Sequence, residues 1–466
     1  WNTNTPSPID NFDEHDNVYD TMISAKKITS NDVLRVVNKV NWTSGTIFEM
    51  YRHDYSVNNL SPQTSSTSLY SANYYVMNKD FRVYVCIYNG SAPSNSGQGI
   101  VSLVEPLHTD LQPRLESDGY IWKYLYTIKP SEILKFDSAN FIPTPADYAN
   151  NPDCADVRNA AINGKIEVIT IEDTTSAAYQ FNGTKNNVPI RGDGEGGLAS
   201  VTFLNGKPSS VQVTNGGSDY SFATLDLDSV VTGAGASFSV IIPPPGGHGA
   251  DVYTELGSNK VLVYSRIENN DVTNPDFPSG NQFARIGILK NPIENGSTNL
   301  LTAASVTNTK ALRVTGATAD SLSASIDGLI TQTVGVGSTA VGKIISYDNS
   351  TQVLRYWQDR SLATNDSNGT PPTFGYKLNK FSNTPGTGGS TNVVVTTTSG
   401  TETVGIDTGF VGVSTTINAK TFYFGQSFTN GIAEPEIKKH SGDIIYIDNR
   451  APVTRTSSQK EEVKIV

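Results

Sequence analysis

The chain is predicted to be mainly β, with a layered β-sandwich core, a few short helices in loops and two inserted small β domains. Three observations predict this. Charged residues are only 17% of the 466 residues, while Gly (40) and Tyr (21) are abundant, the balance of a sheet-rich, loop-rich protein. Gly, Pro and Asn recur every eight to twelve residues or so, as short strands joined by turns require. The stretch from Asp118 to Pro130, DGYIWKYLYTIKP, alternates with a period of two. Tyr120, Trp122, Tyr124, Tyr126 and Ile128 share one face of that strand, and Ile121, Lys123, Leu125, Thr127 and Lys129 the other. Asp118-Gly119 makes a turn before it. Pro130 closes it, and Ser131 is placed to cap a short helix, SEILKF. Burying five such side chains is worth about 1.5 to 3 kcal/mol each, and ordering each residue costs about 1 to 2 kcal/mol, so the strand needs a larger sheet around it.

Taken in order, the chain opens with a run over Asp16 to Ile28 whose Val18, Met22 and Ala25 fall at helical spacing. In a second run Val33, Val36, Val37 and Val40 repeat at i, i+3, i+4 and i+7, yet four β-branched residues read equally well as a strand. Two strands follow, broken at Asn78-Lys79-Asp80. The second, Phe81 to Tyr88, sets Phe81, Val83, Val85 and Ile87 on one face and is a natural neighbour for the Tyr120 strand. A further strand lies within Lys165 to Asp173.

The organisation expected is a core over residues 1–174, 250–298 and 429–466. It is interrupted by small β insertions at 175–249 and 299–428. In the first insertion Leu204-Asn205-Gly206-Lys207 is a tight hairpin turn. That insertion closes on Pro243-Pro244-Pro245-Gly246-Gly247-His248-Gly249, a stiff and then flexible connector. Core texture returns with Val261, Val263, Phe283, Ile286 and Ile288. In the second insertion hairpins turn at Asp348 to Thr351 and at Ser399-Gly400. Two last strands, Asp443 to Asp448 and Glu461 to Val466, flank a turn at Asn449-Arg450-Ala451-Pro452. The first residue is Trp1 rather than Met, which points to residues trimmed or missing ahead of it.

Composition excludes several function classes. A net charge of −11 with no basic stripe argues against a nucleic-acid surface. Cys86 and Cys154 stand far apart without CxxC spacing, which suggests neither a disulfide scaffold nor a thiolate metal site and fits a reducing compartment. No apolar run approaches eighteen residues, so no membrane-spanning helix is expected. Phosphate loops, GxGxxG, GxSxG and HExxH are lacking. No catalytic, cofactor-binding or metal-binding residue is therefore assigned.

Some residues still invite a second reading. His15, in Asp13-Glu14-His15-Asp16, reads as part of a solvated acidic helix start, and His53-Asp54 as a hydrogen-bonded pair. Glu434 with Glu436, or Asp443 with Asp448, could be written as paired carboxylates. Any acidic chain offers such pairs. Arg191-Gly192-Asp193 matches an adhesion tripeptide inside a Gly-rich turn, where backbone geometry is the ordinary explanation. The aromatic face at Tyr120 could stack sugars or bases, although regular alternation favours a core role. Polar loops carrying His15, Lys26 and Lys27, and Arg52, His53 and Asp54, lie outside the best strands and are expected to face partners.

Asp118 to Pro130 followed by EILKFDSANFIPTP, together with the closing HSGDIIYIDNRAPVTR, resembles the baseplate wedge subunit of T-even-type contractile-tailed phages that forms dimers around the baseplate rim. The order of the motifs agrees. Val83 to Cys86 matches a VYxC pattern, Asn291-Pro292-Ile293 an NPL-like segment in which Ile stands for Leu, and Trp1 what remains of an opening PW stretch. Asp118, Gly119, His440, Ser441, Gly442, Asn449, Arg450 and Pro452 carry the match. It covers roughly residues 1–165, 250–298 and 430–466, and the insertions resemble those of larger phages of cyanobacteria. The resemblance implies a structural virion protein, not an enzyme, that needs no cofactor. It implies a homodimer bound to other baseplate wedge proteins, assembled in the host bacterial cytoplasm. A carbohydrate-binding fibre or adhesin subunit is the second reading, and a glycan-degrading tail enzyme the third.

Overall fold

In a computed structural model the strands dominate, and the chain is mainly β. The structure describes residues 18–95, 97–268, 282–316, 322, 325–358, 362, 378–397, 400–454 and 460–465. Two compact units are formed, Thr29–Tyr264 with Lys464–Val466, and Trp1–Ile28 with Ser265–Val463.

The unit of Thr29–Tyr264 is organised around an antiparallel sheet of Tyr75–Met77, Arg82–Tyr88, Ile121–Thr127 and Arg114–Leu115, in that order. Asn78 makes the tight turn before Arg82, its side-chain oxygen accepting the Asp80 and Arg82 amides. Phe81 takes a positive φ of 58° there and is only half buried. A second layer pairs Val33–Asn38 with Phe141–Pro143 and with Lys260 to Val263. Val37 and Ile142 of that layer share one apolar cluster with Val76, Val83, Val85, Trp122 and Tyr126 of the first. Tyrosine hydroxyls tie the layers, Tyr75 donating to the Asn38 carbonyl at 2.8 Å and Tyr126 to that of Pro143 at 3.2 Å. The insertion adds a four-stranded sheet in the order Lys207–Asn215, Leu198–Leu204, Gly183–Gly192, Ala223–Leu225. Its Asn205 and Gly206, at φ 52° and 73°, form the expected two-residue turn.

The other unit holds a closed antiparallel barrel. Around it run Val353–Trp357, Ser338–Asp348, Leu329–Gly335, Asn392–Thr397, Gly400–Ile406 and Lys310–Thr315, and the last pairs back onto the first. Closure removes the sheet edges. Leu312, Val314, Ile330, Ile344, Leu354, Val393 and Val395 fill the interior. In the same unit Gln282–Lys290 pairs with Asp443–Thr454.

Several expectations are corrected, and the open reading at Val33 is decided. Between Asp16 and Ile28 only residues 18–21 hold a described helical turn, and Ser24–Lys26 is a strand paired with Ser305–Thr307. A non-local partner outweighs weak local spacing. Val33–Asn38 is a strand, so β-branching prevails over helical period. The short helix is Pro130–Phe136, with Pro130 in its first turn rather than a Ser131 cap. The strand phase at Val261 is reversed: Leu262 and Tyr264 are buried and Val261 is exposed. Asn449 to Pro452 lies within the strand Asp443–Thr454 rather than in a turn.

The Tyr120 strand is also buried more fully than its alternation suggested. Tyr120, Trp122, Tyr126 and Ile128 are buried and Tyr124 half-buried, but so are Lys123 and Leu125 from the opposite face. The sheet is covered on both sides, and register shifts at Val83/Tyr84 and Cys86/Tyr88 disturb strict alternation.

Candidate functional site

The motif residues form fasteners. Gly119 sits at φ 93°, a left-handed position suited to Gly, and turns the chain so that both carboxylate oxygens of Asp118 find amides. One oxygen accepts from the Tyr120 N–H at 3.2 Å, the other from those of Leu103 and Val104 at 2.8 and 2.9 Å and from the Ser102 hydroxyl at 3.2 Å. The Tyr120 ring stacks on Trp122 at 5.4 Å, and its hydroxyl accepts from Phe48 N–H at 3.0 Å and donates to the Ile100 carbonyl at 2.6 Å. Asp-Gly-Tyr thus joins three separate segments.

In the barrel-bearing unit a second fastener unites Asn291-Pro292-Ile293 with His440-Ser441-Gly442. The Ser441 hydroxyl accepts the Ile293 N–H at 3.0 Å and donates to the Lys438 carbonyl at 2.6 Å, while the Tyr19 hydroxyl donates to the Ser441 carbonyl. Gly442 has φ 76°, and a Cβ there would fall 2.4 Å from the Lys290 carbonyl. No larger residue fits without moving that backbone.

Sequence reasoning missed a buried polar cluster in the unit of Thr29–Tyr264. Glu255, in the one-turn helix Val252–Glu255, receives His248 Nδ1 at 2.7 Å on one oxygen and the Gly249 N–H at 2.7 Å on the other. Tyr51 packs edge-on against the His248 ring at 4.8 Å, and Tyr148 donates to the Gly249 carbonyl at 2.6 Å. Lys123 enters from the aromatic strand. Burial lowers its pKa, against the opposing pull of Glu255 and Glu167, and its ammonium donates to the Leu111 carbonyl at 2.6 Å. The Pro-Gly-rich connector is therefore clasped by a carboxylate. The available signal was a lysine inside an otherwise apolar strand.

The residues expected to face partners fare unevenly. His15, Asn449, Arg450 and Pro452 have side chains outside the described residues. Lys26 and Lys27 are exposed. Arg52 and Asp54 are engaged with each other through a bidentate pair, 2.9 and 2.8 Å, and Arg52 also reaches Glu172. His53 accepts the Ile242 N–H at 3.2 Å, and burial lowers its pKa in spite of Asp54.

The paired-carboxylate readings lose their geometry. Both oxygens of Glu434 hold lysines, Lys310 at 2.7 Å and Lys380 at 3.3 Å, and Glu436 accepts the Thr307 N–H at 2.7 Å. Asp443 and Asp448 lie five residues apart on one strand, about 16 Å at 3.3 Å per residue. Asp193 of the adhesion-like tripeptide binds the Ser221 and Phe222 amides and the Ser221 hydroxyl. Its backbone role is the one observed.

Among the described residues no group of three or more His, Cys, Asp and Glu side chains could hold a metal ion, and no helix is long and apolar enough to cross a membrane. Cys86 and Cys154 are free and buried. No protein family, no curated protein and no solved structure matches this chain.

Proposed function

We propose that this protein is a structural subunit of the baseplate wedge of a contractile phage tail, a dimer-forming scaffold that joins neighbouring wedge proteins. The observation that carries this reading is the use made of the motif residues. Asp118, Gly119 and Tyr120 fix three segments of one unit, and Asn291-Pro292-Ile293 with His440-Ser441-Gly442 lock two segments of the other. Residues at the centre of the wedge resemblance thus serve architecture, as a load-carrying subunit requires. The carboxylates that a glycan-degrading enzyme would use are held by lysines and amides.

Native mass of the full-length chain over a dilution series tests the proposal. A stable dimer is expected. A tight trimer would overturn the wedge reading in favour of a fibre or adhesin subunit, and glycan binding by the two insertions would then be the next assay.

A further inference from the structure

The segment from Val101 to Leu115 reverses the usual disposition of a covering loop. Its backbone carbonyls point to the sheet and its leucines to solvent. The carbonyl of Pro106 accepts from the Asn78 amide at 2.8 Å, that of Leu107 from Arg82 at 2.5 Å, that of His108 from the Tyr84 hydroxyl at 2.6 Å, and that of Leu111 from Lys123 at 2.6 Å. Asp118 holds the Leu103 and Val104 amides from the other end. Ser102, Pro106 and the His108 ring turn inward. Outward, Val101, Leu103, Leu107, Leu111 and Leu115 stand 44%, 60%, 45%, 38% and 65% exposed.

A segment with so many fixed carbonyls, ending in the edge strand Arg114–Leu115, is preorganised, so the exposure of its leucines is built in. Four of them recur at every fourth residue. Together the five side chains expose roughly 400 Å², the size of the largest apolar patch a monomer carries and about half of the ~800 Å² that one partner contributes to a standard interface.

We propose that this ridge is the surface through which two copies of the chain associate face to face. The inference rests on the dimeric scaffold reading and names its interface. Charge favours a second copy as the occupant. The chain carries −11 overall, which opposes self-association across most surfaces. Along the ridge most charge is offset in place: Lys79 pairs with Glu105 at 3.2 Å, and Arg114 with Asp110 at 3.3 Å and Glu116 at 3.9 Å, which leaves one carboxylate in excess. Two such ridges meet with little like charge to stack, and a two-fold axis lets one patch serve both partners.

Sedimentation velocity on the full-length chain and its variants tests this. Leu103→Glu and Leu115→Glu change the most exposed ridge positions, and Leu134→Glu and Leu204→Glu are controls at exposed leucines elsewhere, 76% and 66%. The expected result is a dimer whose dissociation constant rises tenfold or more in each ridge variant and stays unchanged in the controls. Mixing Leu115→Glu with Leu115→Lys should restore association, an outcome that misfolding would not give. A wild-type dimer untouched by the ridge variants, or weakened equally by the controls, overturns the ridge while leaving the scaffold reading intact. A ridge that binds only a different wedge protein overturns the second-copy assignment. A chain that is monomeric throughout, or a trimer, overturns both.

Discussion

The aromatic sheet of the Thr29–Tyr264 unit and the barrel of the other unit solve the same problem in different ways. The sheet is open, with short strands, and is covered by loops and by a second layer of strands that tyrosines hold. Tyr74, Tyr75, Tyr84, Tyr120, Tyr126 and Tyr148 each bury a ring and donate a hydroxyl to a carbonyl of another segment. Buried rings with satisfied polar tips give both apolar area and directional bonds. The barrel closes through backbone pairing, and aliphatic side chains together with Tyr356 and Phe381 fill its interior. Gln332 bonds the Ser382 and Ser390 carbonyls at 2.7 and 2.9 Å, and Arg355 reaches the Gln426 side chain and the Phe424 carbonyl at 2.6 and 2.7 Å. A sheet with edges leans on tyrosine fasteners, whereas a closed sheet pairs its strands all the way round.

Removing a ring should give the largest effect. Trp122→Ala deletes a fully buried side chain between Tyr120 and Phe48 and should cost about 3–5 kcal/mol, read from urea unfolding. Removing only a hydroxyl sharpens the contrast. Tyr120→Phe strands the Phe48 amide and the Ile100 carbonyl and should cost about 1–3 kcal/mol. Tyr347→Phe, in the barrel, removes a buried hydroxyl that has no hydrogen-bond partner among the described residues and should be neutral or stabilising. Equal losses at the two tyrosines would break the comparison.

Acid provides a gentler probe. Burial pushes the Glu434 carboxyl up, but Lys310 and Lys380 prevail and hold it below the usual glutamate value. Its contribution is complete above the unfolded pKa of about 4.3 and is lost as pH falls through the lower folded value. The acid limb of the stability profile should lose this component in Glu434→Gln. Asp193 should show the smallest effect on stability. Hydrogen bonds from the Ser221 hydroxyl and amide bring its pKa to about 2, so its NMR titration midpoint should lie there rather than near 4.

The same difference decides what was legible in the sequence. The Tyr120 strand, its neighbour at Val83, the turn at Asn78 and the hairpin at Asn205-Gly206 all depend on residues within a few positions of one another. Each could be read locally. Barrel closure depends on Lys310–Thr315 meeting Val353–Trp357, and no local pattern encodes that. Ser24–Lys26 became a strand for the same reason, through a partner about 280 positions away. The fastening role of Asp118 and Ser441 was visible only as motif residues. The clasp of His248 and Gly249 by Glu255 was signalled only by Lys123 in an apolar strand, because a turn and a one-turn helix meet only in the fold.

The central claim, a scaffold role in the baseplate wedge, is tested most directly by the copy number of this chain in purified contractile tails separated into baseplate, tube and fibre fractions. The account predicts a fixed, even number of copies per wedge in the baseplate fraction, before and after sheath contraction. Its absence from the baseplate, or recovery with the fibres in multiples of three, would contradict the account.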